Sequence, residues 1–306
     1  MGNNTDAFVP EVYSKTLLKE SKEITNFKNN FTNTDFEGEI KQFGDTVRIS
    51  TPNFSNITIG NSVIPDVSDI YPTDLTLTID KQKSFAFKVN DLEQAQSQFN
   101  LLSGNMSGGN QKMMDEICLE LQEAIIADSA VPAYGTSGTP IEIDSDTVTN
   151  YFTHIKQLLV RNKALSSAGF YTYKGEKEQR VELKPMVTVD PVLFESLLNS
   201  NKLTHPTVAG DDILYKGECG QIAGMMIFQD TNIENVTGAD PDNGVHAVIA
   251  GTKMGMTFAE QFVKVETVRD PQSFADIGRA LMVYGYKITN PKSLVKGYAT
   301  TISSST

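Results

Sequence analysis

Two consecutive runs between residues 74 and 89 alternate polar and apolar side chains, and this constrains the chain more than any other feature. Asp74-Leu75-Thr76-Leu77-Thr78-Ile79-Asp80 is followed by Ser84-Phe85-Ala86-Phe87-Lys88-Val89, and an earlier run, Asp45-Thr46-Val47-Arg48-Ile49-Ser50, keeps the same period. A period of two makes a strand with one apolar and one polar face. Leu75, Leu77 and Ile79 share one face, and Val47 and Ile49 form the matching one. Two such runs ahead of any sizeable core predict a long hairpin from about Thr46 to Val89. Strands of about twelve to fifteen residues reach roughly 40–50 Å at ~3.3 Å per residue. A long isolated hairpin is marginal in water, so its apolar face is expected to cover a neighbouring molecule.

Composition excludes several classes. The 306 residues suffice for one large or two smaller domains with a buried core. A formal net charge of −12 repels a phosphate backbone, which argues against sequence-independent nucleic-acid binding. Two cysteines, Cys118 and Cys219, make neither a disulfide framework nor a zinc set, and Cys118 falls on an apolar helix face as a buried thiol. The start, Met1-Gly2-Asn3-Asn4-Thr5-Asp6, has neither a basic opening nor an apolar run, and no stretch approaches eighteen apolar residues, so no signal peptide and no membrane span are expected. A reducing, cytoplasmic place of synthesis fits.

Along the chain, Pro10 suits the first position of a short helix over 10–22. Residues 26–43 read as loop, with Phe27, Phe31 and Phe36 as isolated aromatic anchors. That is the pattern of an arm lying across another surface; folding back on its own domain is the alternative. Beyond the hairpin, Leu92, Ala95, Phe99 and Leu102 repeat at helical spacing before Gly104, Gly108 and Gly109 interrupt, each costing about 1 kcal/mol against Ala in a helix. Met114, Ile117, Cys118, Leu121 and Ile125 then mark an amphipathic helix of about twenty residues that ends near Val131-Pro132. Residues 132–145 are a turn-rich break. Asp144 or Asp146 caps a helix aligning Val148, Phe152, Ile155 and Leu159, and Asp190-Pro191 is a strong helix start after a strand over 184–189. Strands are predicted over Ile222–Gln229, Val245–Ala250 and within Phe262–Ile288, with Pro291 as a stop and a small polar tail from Thr300.

No residue pattern supports catalysis, a cofactor or a metal. His154, His205 and His246 lack ligand spacing, and His154 reads as a surface histidine. Residues 104–112, Gly-rich and ending in Lys112, lack the Gly-Lys-Ser/Thr of a phosphate loop. Asp240-Pro241-Asp242-Asn243-Gly244 reads as a plain turn, because a calcium loop needs a ligand where Gly244 stands and a Glu at the twelfth position.

The order of these features resembles the major capsid protein of tailed bacteriophages, the HK-97 fold. The likeness is carried by Val9-Pro10-Glu11-Val12-Tyr13-Ser14-Lys15 with Asp35-Phe36-Glu37-Gly38-Glu39-Ile40 and Gly44-Asp45-Thr46-Val47, and by Ser84–Asp91 leading to Gln94-Ala95-Gln96-Ser97. Val187-Thr188-Val189-Asp190-Pro191, Gly220-Gln221-Ile222-Ala223-Gly224 and Arg279–Lys287 extend it over nearly the whole chain. The resemblance implies an α+β fold with an N-terminal arm (1–43), an extended β-hairpin loop (44–90), a peripheral domain with a long spine helix (91–144), an axial domain (145–255), and peripheral return strands with the C-terminal tail (256–306). It implies that Val47, Ile49, Leu75, Leu77 and Ile79 make inter-subunit contacts, and that Met114, Ile117, Leu121 and Ile125 form the spine-helix face.

By the same resemblance the chain is structural, without cofactor. It assembles through hexamers and pentamers into an icosahedral head around double-stranded DNA, built in the bacterial host cytoplasm. A portal protein is implied, the DNA is not bound specifically, and the arm beginning almost at Met1 implies a separate scaffolding protein. Lys81 or Lys83 would be the donors if subunits were crosslinked through a Lys–Asn isopeptide bond. The glycines at 104–109 would break or delay the spine helix. Alternatives are an encapsulin-type compartment shell, a phage tail or adaptor subunit, and a hydrolase with unusual site residues.

Overall fold

The computed structural model describes residues 26–34, 46–51, 73–91, 101–144, 146–162, 164, 170–174, 177–181, 185–199, 220–240 and 243–301. The helix predicted over 10–22, Phe36, the tip of the hairpin, His205 and Cys219 lie outside them, as does the tail beyond Thr301.

Two sheets share one long helix. Helix α1 (Asn26–Phe31) runs into β1 (Thr32–Asn33); β2 (Thr46–Thr51), β3 (Thr73–Thr78) and β4 (Lys81–Asn90) follow, and then helix α2 (Leu101–Ala127). After the short β5 (Ala133–Tyr134) and β6 (Ile141–Ile143) come helix α3 (Val148–Arg161), the pair β7 (Phe170–Lys174) and β8 (Lys177–Val181), β9 (Met186–Val189) and helix α4 (Pro191–Leu198). The rest is strand: β10 (Gln221–Ile222), β11 (Met225–Gln229), β12 (Val245–Gly251), β13 (Met256–Arg269), β14 (Ala275–Ile288) and β15 (Leu294–Thr301). One sheet has the order β1-β13-β14-β4; the other runs β10-β11-β9-β12-β15-β5, with β6 also paired to β15.

The residue pattern explains the layering. Along β12, Ala247 and Ile249 join the core against α2, while Val248 and Ala250 join the core against α3 and α4. A strand buried on both faces reads as a continuous apolar run, not as an alternation. Helix α2 supplies Met114, Ile117, Leu121 and Ile125, all buried, to a core that takes Phe258, Met282 and Tyr284 from one sheet and Ile249, Leu294 and Tyr298 from the other. Buried in the same helix, Cys118 has its thiol pushed up to about 12, chiefly by desolvation.

Local signals behave as their chemistry dictates. Asp190 caps α4, its Oδ1 accepting from the Leu193 amide at 2.9 Å, with Pro191 at the first helical position. Asp144 organises the turn before α3, accepting from the amides of Asp146 at 2.9 Å and Thr147 at 2.8 Å. The strand predicted over Ile222–Gln229 is two strands, because Ala223 and Gly224 both take positive φ (49° and 78°) and form a two-residue hairpin turn.

Three expectations are corrected. The glycines at 104–109 do not interrupt the helix: α2 is continuous for 27 residues. Its backbone amides are therefore spent in helical bonds, which removes the phosphate-loop reading of 104–112. Second, Lys81–Asn90 does not continue the hairpin; it pairs along its whole length with β14, from Ala275↔Asn90 to Tyr284↔Lys81. Third, β15 does not return to the β13–β14 sheet but lies between β12 and β5 in the other one.

Candidate assembly surfaces

The described base of the hairpin pairs β2 with β3 in the register Val47↔Leu77 and Ile49↔Leu75, so the five apolar residues do share a face. Val47, Leu77 and Ile79 are buried, however, against Ala259 of β13 and Val283 of β14 in the same chain. For these three the expected cover by a neighbouring molecule is corrected: the chain's own sheet supplies it, because Ile79 and Asp80 lead straight into β4 of that sheet. Ile49 and Leu75, one pair further out, are half-buried. Gly285 permits this crossing. A Cβ there would sit 2.3 Å from the Thr78 carbonyl oxygen and 2.9 Å from Ile79 Cδ1.

The described part of the N-terminal segment is clamped. Phe27 and Phe31 are buried and stack with ring centroids 4.7 Å apart. Lys28 pairs with Glu260 of β13, both side chains 1% exposed, and its Nζ lies 4.5 Å from the centroid of the Phe258 ring. β1 adds a parallel pairing, Thr32↔Met256 and Asn33↔Thr257. The loop expected over 26–34 is thus a helix and a strand, and its aromatic anchors sink into the chain's own core. The sequence carries no spacing signal for this, since Lys28 and Glu260 are 232 positions apart.

Strand β4 is held to α2 by charge. Glu120 accepts from Lys81, from Tyr284 and, at 3.3 Å, from Tyr286, while Lys83 reaches Glu116 at 3.1 Å. Burial pushes the Glu120 carboxyl up, but the hydrogen bonds from Lys81 and Tyr284 more than offset it and leave Glu120 below its ordinary value. Lys81, a candidate crosslink donor, is thereby engaged within its own chain, and its Nζ also lies 4.4 Å from the centroid of the Tyr286 ring. Gly109 lets Phe85 of β4 lie on the helix, since a Cβ there would come 2.6 Å from the ring.

Among the described residues, no group of three His, Cys, Asp or Glu side chains is placed to hold a metal, and no helix is long and apolar enough to cross a membrane. Asp240 accepts from the Asn243 amide at 3.3 Å, and Gly244 has a φ of 72°, as a turn requires. His154 is exposed and stacks on Tyr134, while His246, named in the sequence only as lacking ligand spacing, is buried against the Asp190 carboxylate.

No protein-family model and no curated protein matches the sequence. Solved structures do match. A chain of Mycobacterium phage Che8 aligns over 87% of this chain and 88% of its own length, at 20% identity and a TM-score of 0.67. A chain from the mature capsid of bacteriophage PhiM1 aligns over 89% and 88%, at 14% identity and a TM-score of 0.57. A virus-like particle from Pyrococcus furiosus aligns over 94% and 98%, at 11% identity and a TM-score of 0.55. The chain has the HK-97 capsid fold.

Proposed function

We propose that this chain is the major capsid protein of a tailed bacteriophage, a structural subunit that catalyses no reaction. It assembles through hexamers and pentamers into an icosahedral head around double-stranded DNA, in the cytoplasm of a bacterial host. The observation that supports this is the match to a chain of a mature phage capsid over 89% of this chain and 88% of that one. The acidic balance is compatible: a wall that need not attract DNA gains nothing from basic residues. In this reading the extended loop beyond Thr51 and Thr73 lies over a neighbouring subunit, with Ile49 and Leu75 at the start of that contact. A portal protein and a separate scaffolding protein complete the head.

A second reading is an encapsulin-type compartment shell, favoured by the match to the virus-like particle over nearly the full length of both chains. Electron microscopy and sedimentation of the recombinant chain test both. Capsomer rings or closed shells are expected. A uniform monomer or dimer, also when the chain is co-expressed with its scaffolding protein, overturns the shell reading in favour of a tail or adaptor subunit. DNA in particles from the native source supports the capsid, and enclosed enzyme supports the compartment. Closed native-size shells from this chain alone overturn the separate scaffold.

A further inference from the structure

Phe274 is 84% exposed in the turn between β13 and β14, the most exposed of the large apolar side chains described. The turn that carries it is tightly built. The Asp270 carboxylate accepts from the Gln272 amide at 2.9 Å and from the Ser273 hydroxyl at 2.7 Å, and it pairs with Lys88. The Asp270 amide donates to the Ala275 carbonyl at 3.0 Å, and the Asp91 amide donates to the carbonyl of Phe274 itself at 3.0 Å. Beside the turn Arg269 bonds Asp91 at 2.7 Å and Asp276 at 3.1 Å. An aromatic ring held outward on a fixed turn loses little freedom on docking, which is what an interface anchor requires.

The same sheet carries a matching hollow. On the face away from α2, a recess of about 380 Å³ is lined by Ser84, Ala86, Lys264, Glu266, Arg279 and Leu281 among others. The hairpin root covers this face at Ala259 and Val283 but not here. Val268, two strand positions from Glu266 on the same face, is 40% exposed. Phe274 cannot fill the hollow of its own chain: Leu281 lies seven positions further along the chain, about 23 Å at ~3.3 Å per residue.

We propose that Phe274 of one copy docks in the recess between Ser84, Ala86 and Leu281 of a second copy of this chain. The inference deepens the shell reading and rests on it. Charge supports a second copy as the occupant. Asp91, Asp270 and Asp276 outnumber Lys88 and Arg269 at the turn, leaving it net negative, while Lys264 and Arg279 outnumber Glu266 at the recess, leaving it net positive. Knob and hollow occupy different places on one chain, so the contact is head-to-tail, and a head-to-tail contact closes into rings when its rotation allows.

Sedimentation and electron microscopy of wild type, Phe274→Asp and Ala86→Trp test the contact. Both variants should associate about tenfold or more weakly than wild type, as for loss of an interface anchor. Both sites are exposed, so melting temperatures should stay at the wild-type value. A Phe274→Cys, Ala86→Cys pair should give a ladder of disulfide-linked chains on oxidation, and either single variant, which retains Cys118 and Cys219, should not. Wild-type assembly with equal assembly of Phe274→Asp, or with no ladder from the pair, overturns this contact and leaves the shell reading standing. Wild type that remains monomeric also when co-expressed with its scaffolding protein overturns both.

Discussion

At the residue scale, the buried Lys28–Glu260 pair makes the sharpest prediction. Removing one partner strands a charge away from water, so Lys28→Met should cost about 3–5 kcal/mol in urea denaturation. Replacing both, as Lys28→Met with Glu260→Leu, should restore most of the loss, because an apolar pair of similar volume carries no desolvation penalty. Glu120 predicts a pH dependence. Its folded-state pKa lies below the ordinary 4.5, so it stabilises the fold at neutral pH. That contribution fades as the pH falls through 4.5 and is gone below the lower folded-state value. Wild type should therefore be more stable than Glu120→Gln at pH 7, and urea midpoints measured downward from pH 5 should converge. Two glycines should part in sign. Gly285→Ala meets the Thr78 carbonyl and should lose about 1–3 kcal/mol. Gly104→Ala faces open space within α2 and should gain up to about 1 kcal/mol.

At the element scale, the alternation at 45–50 and 74–79 located both strands of the hairpin root and their shared face. It did not reveal what covers that face, since period two is the same whether the cover is a neighbour or the chain's own β13 and β14. Leu77→Asp distinguishes the two. Leu77 is fully buried in its own chain, so the variant should unfold at markedly lower urea as a monomer, by several kcal/mol, before any assembly is measured. Leu75→Asp, one pair further out and half-buried, should cost much less. Helix α2 shows the opposite limit of local reasoning. Propensity argued for a break at Gly104, Gly108 and Gly109, but burial of Met106, Met113 and Met114 on either side offsets about 1 kcal/mol per glycine, and Gly109 is needed where Phe85 packs. The 14-residue strands β13 and β14 form the longest hairpin described. Their turn, Asp270-Pro271-Gln272-Ser273-Phe274, lies inside the stretch expected only as strand-rich over Phe262–Ile288, and nothing in it announces an exposed aromatic.

At the scale of the whole molecule, the segment between Thr51 and Thr73, proposed to lie over a neighbour, offers a separation of folding from assembly. Thr51 and Thr73 are paired across the root, so residues 52–72 can be replaced by Asn-Gly, the dipeptide that closes a two-residue hairpin. The shortened chain should keep its melting temperature, because the root and its cluster with Ala259 and Val283 remain. It should lose shells and rings in electron microscopy if the loop lies over a neighbour. Shells at the wild-type yield would place the subunit contacts elsewhere on the chain.

Much of this protein was determined by the sequence alone. Periods of two and of 3.6, the Asp190-Pro191 cap and the glycines at turns are local, and local steric and hydrogen-bonding rules read them directly. Met114, Ile117, Leu121 and Ile125 announced a buried helix face by their spacing. Other features were decided only by tertiary structure. The pairing of Lys28 with Glu260, of Asp190 with His246 and of Lys81 with Glu120 joins residues far apart in the chain. So does the choice of β14 as partner for β4. No local pattern encodes which distant surface meets a given strand face or buried charge; that is settled by the packing of both sheets around one helix, where each apolar face and each charge must find its cover.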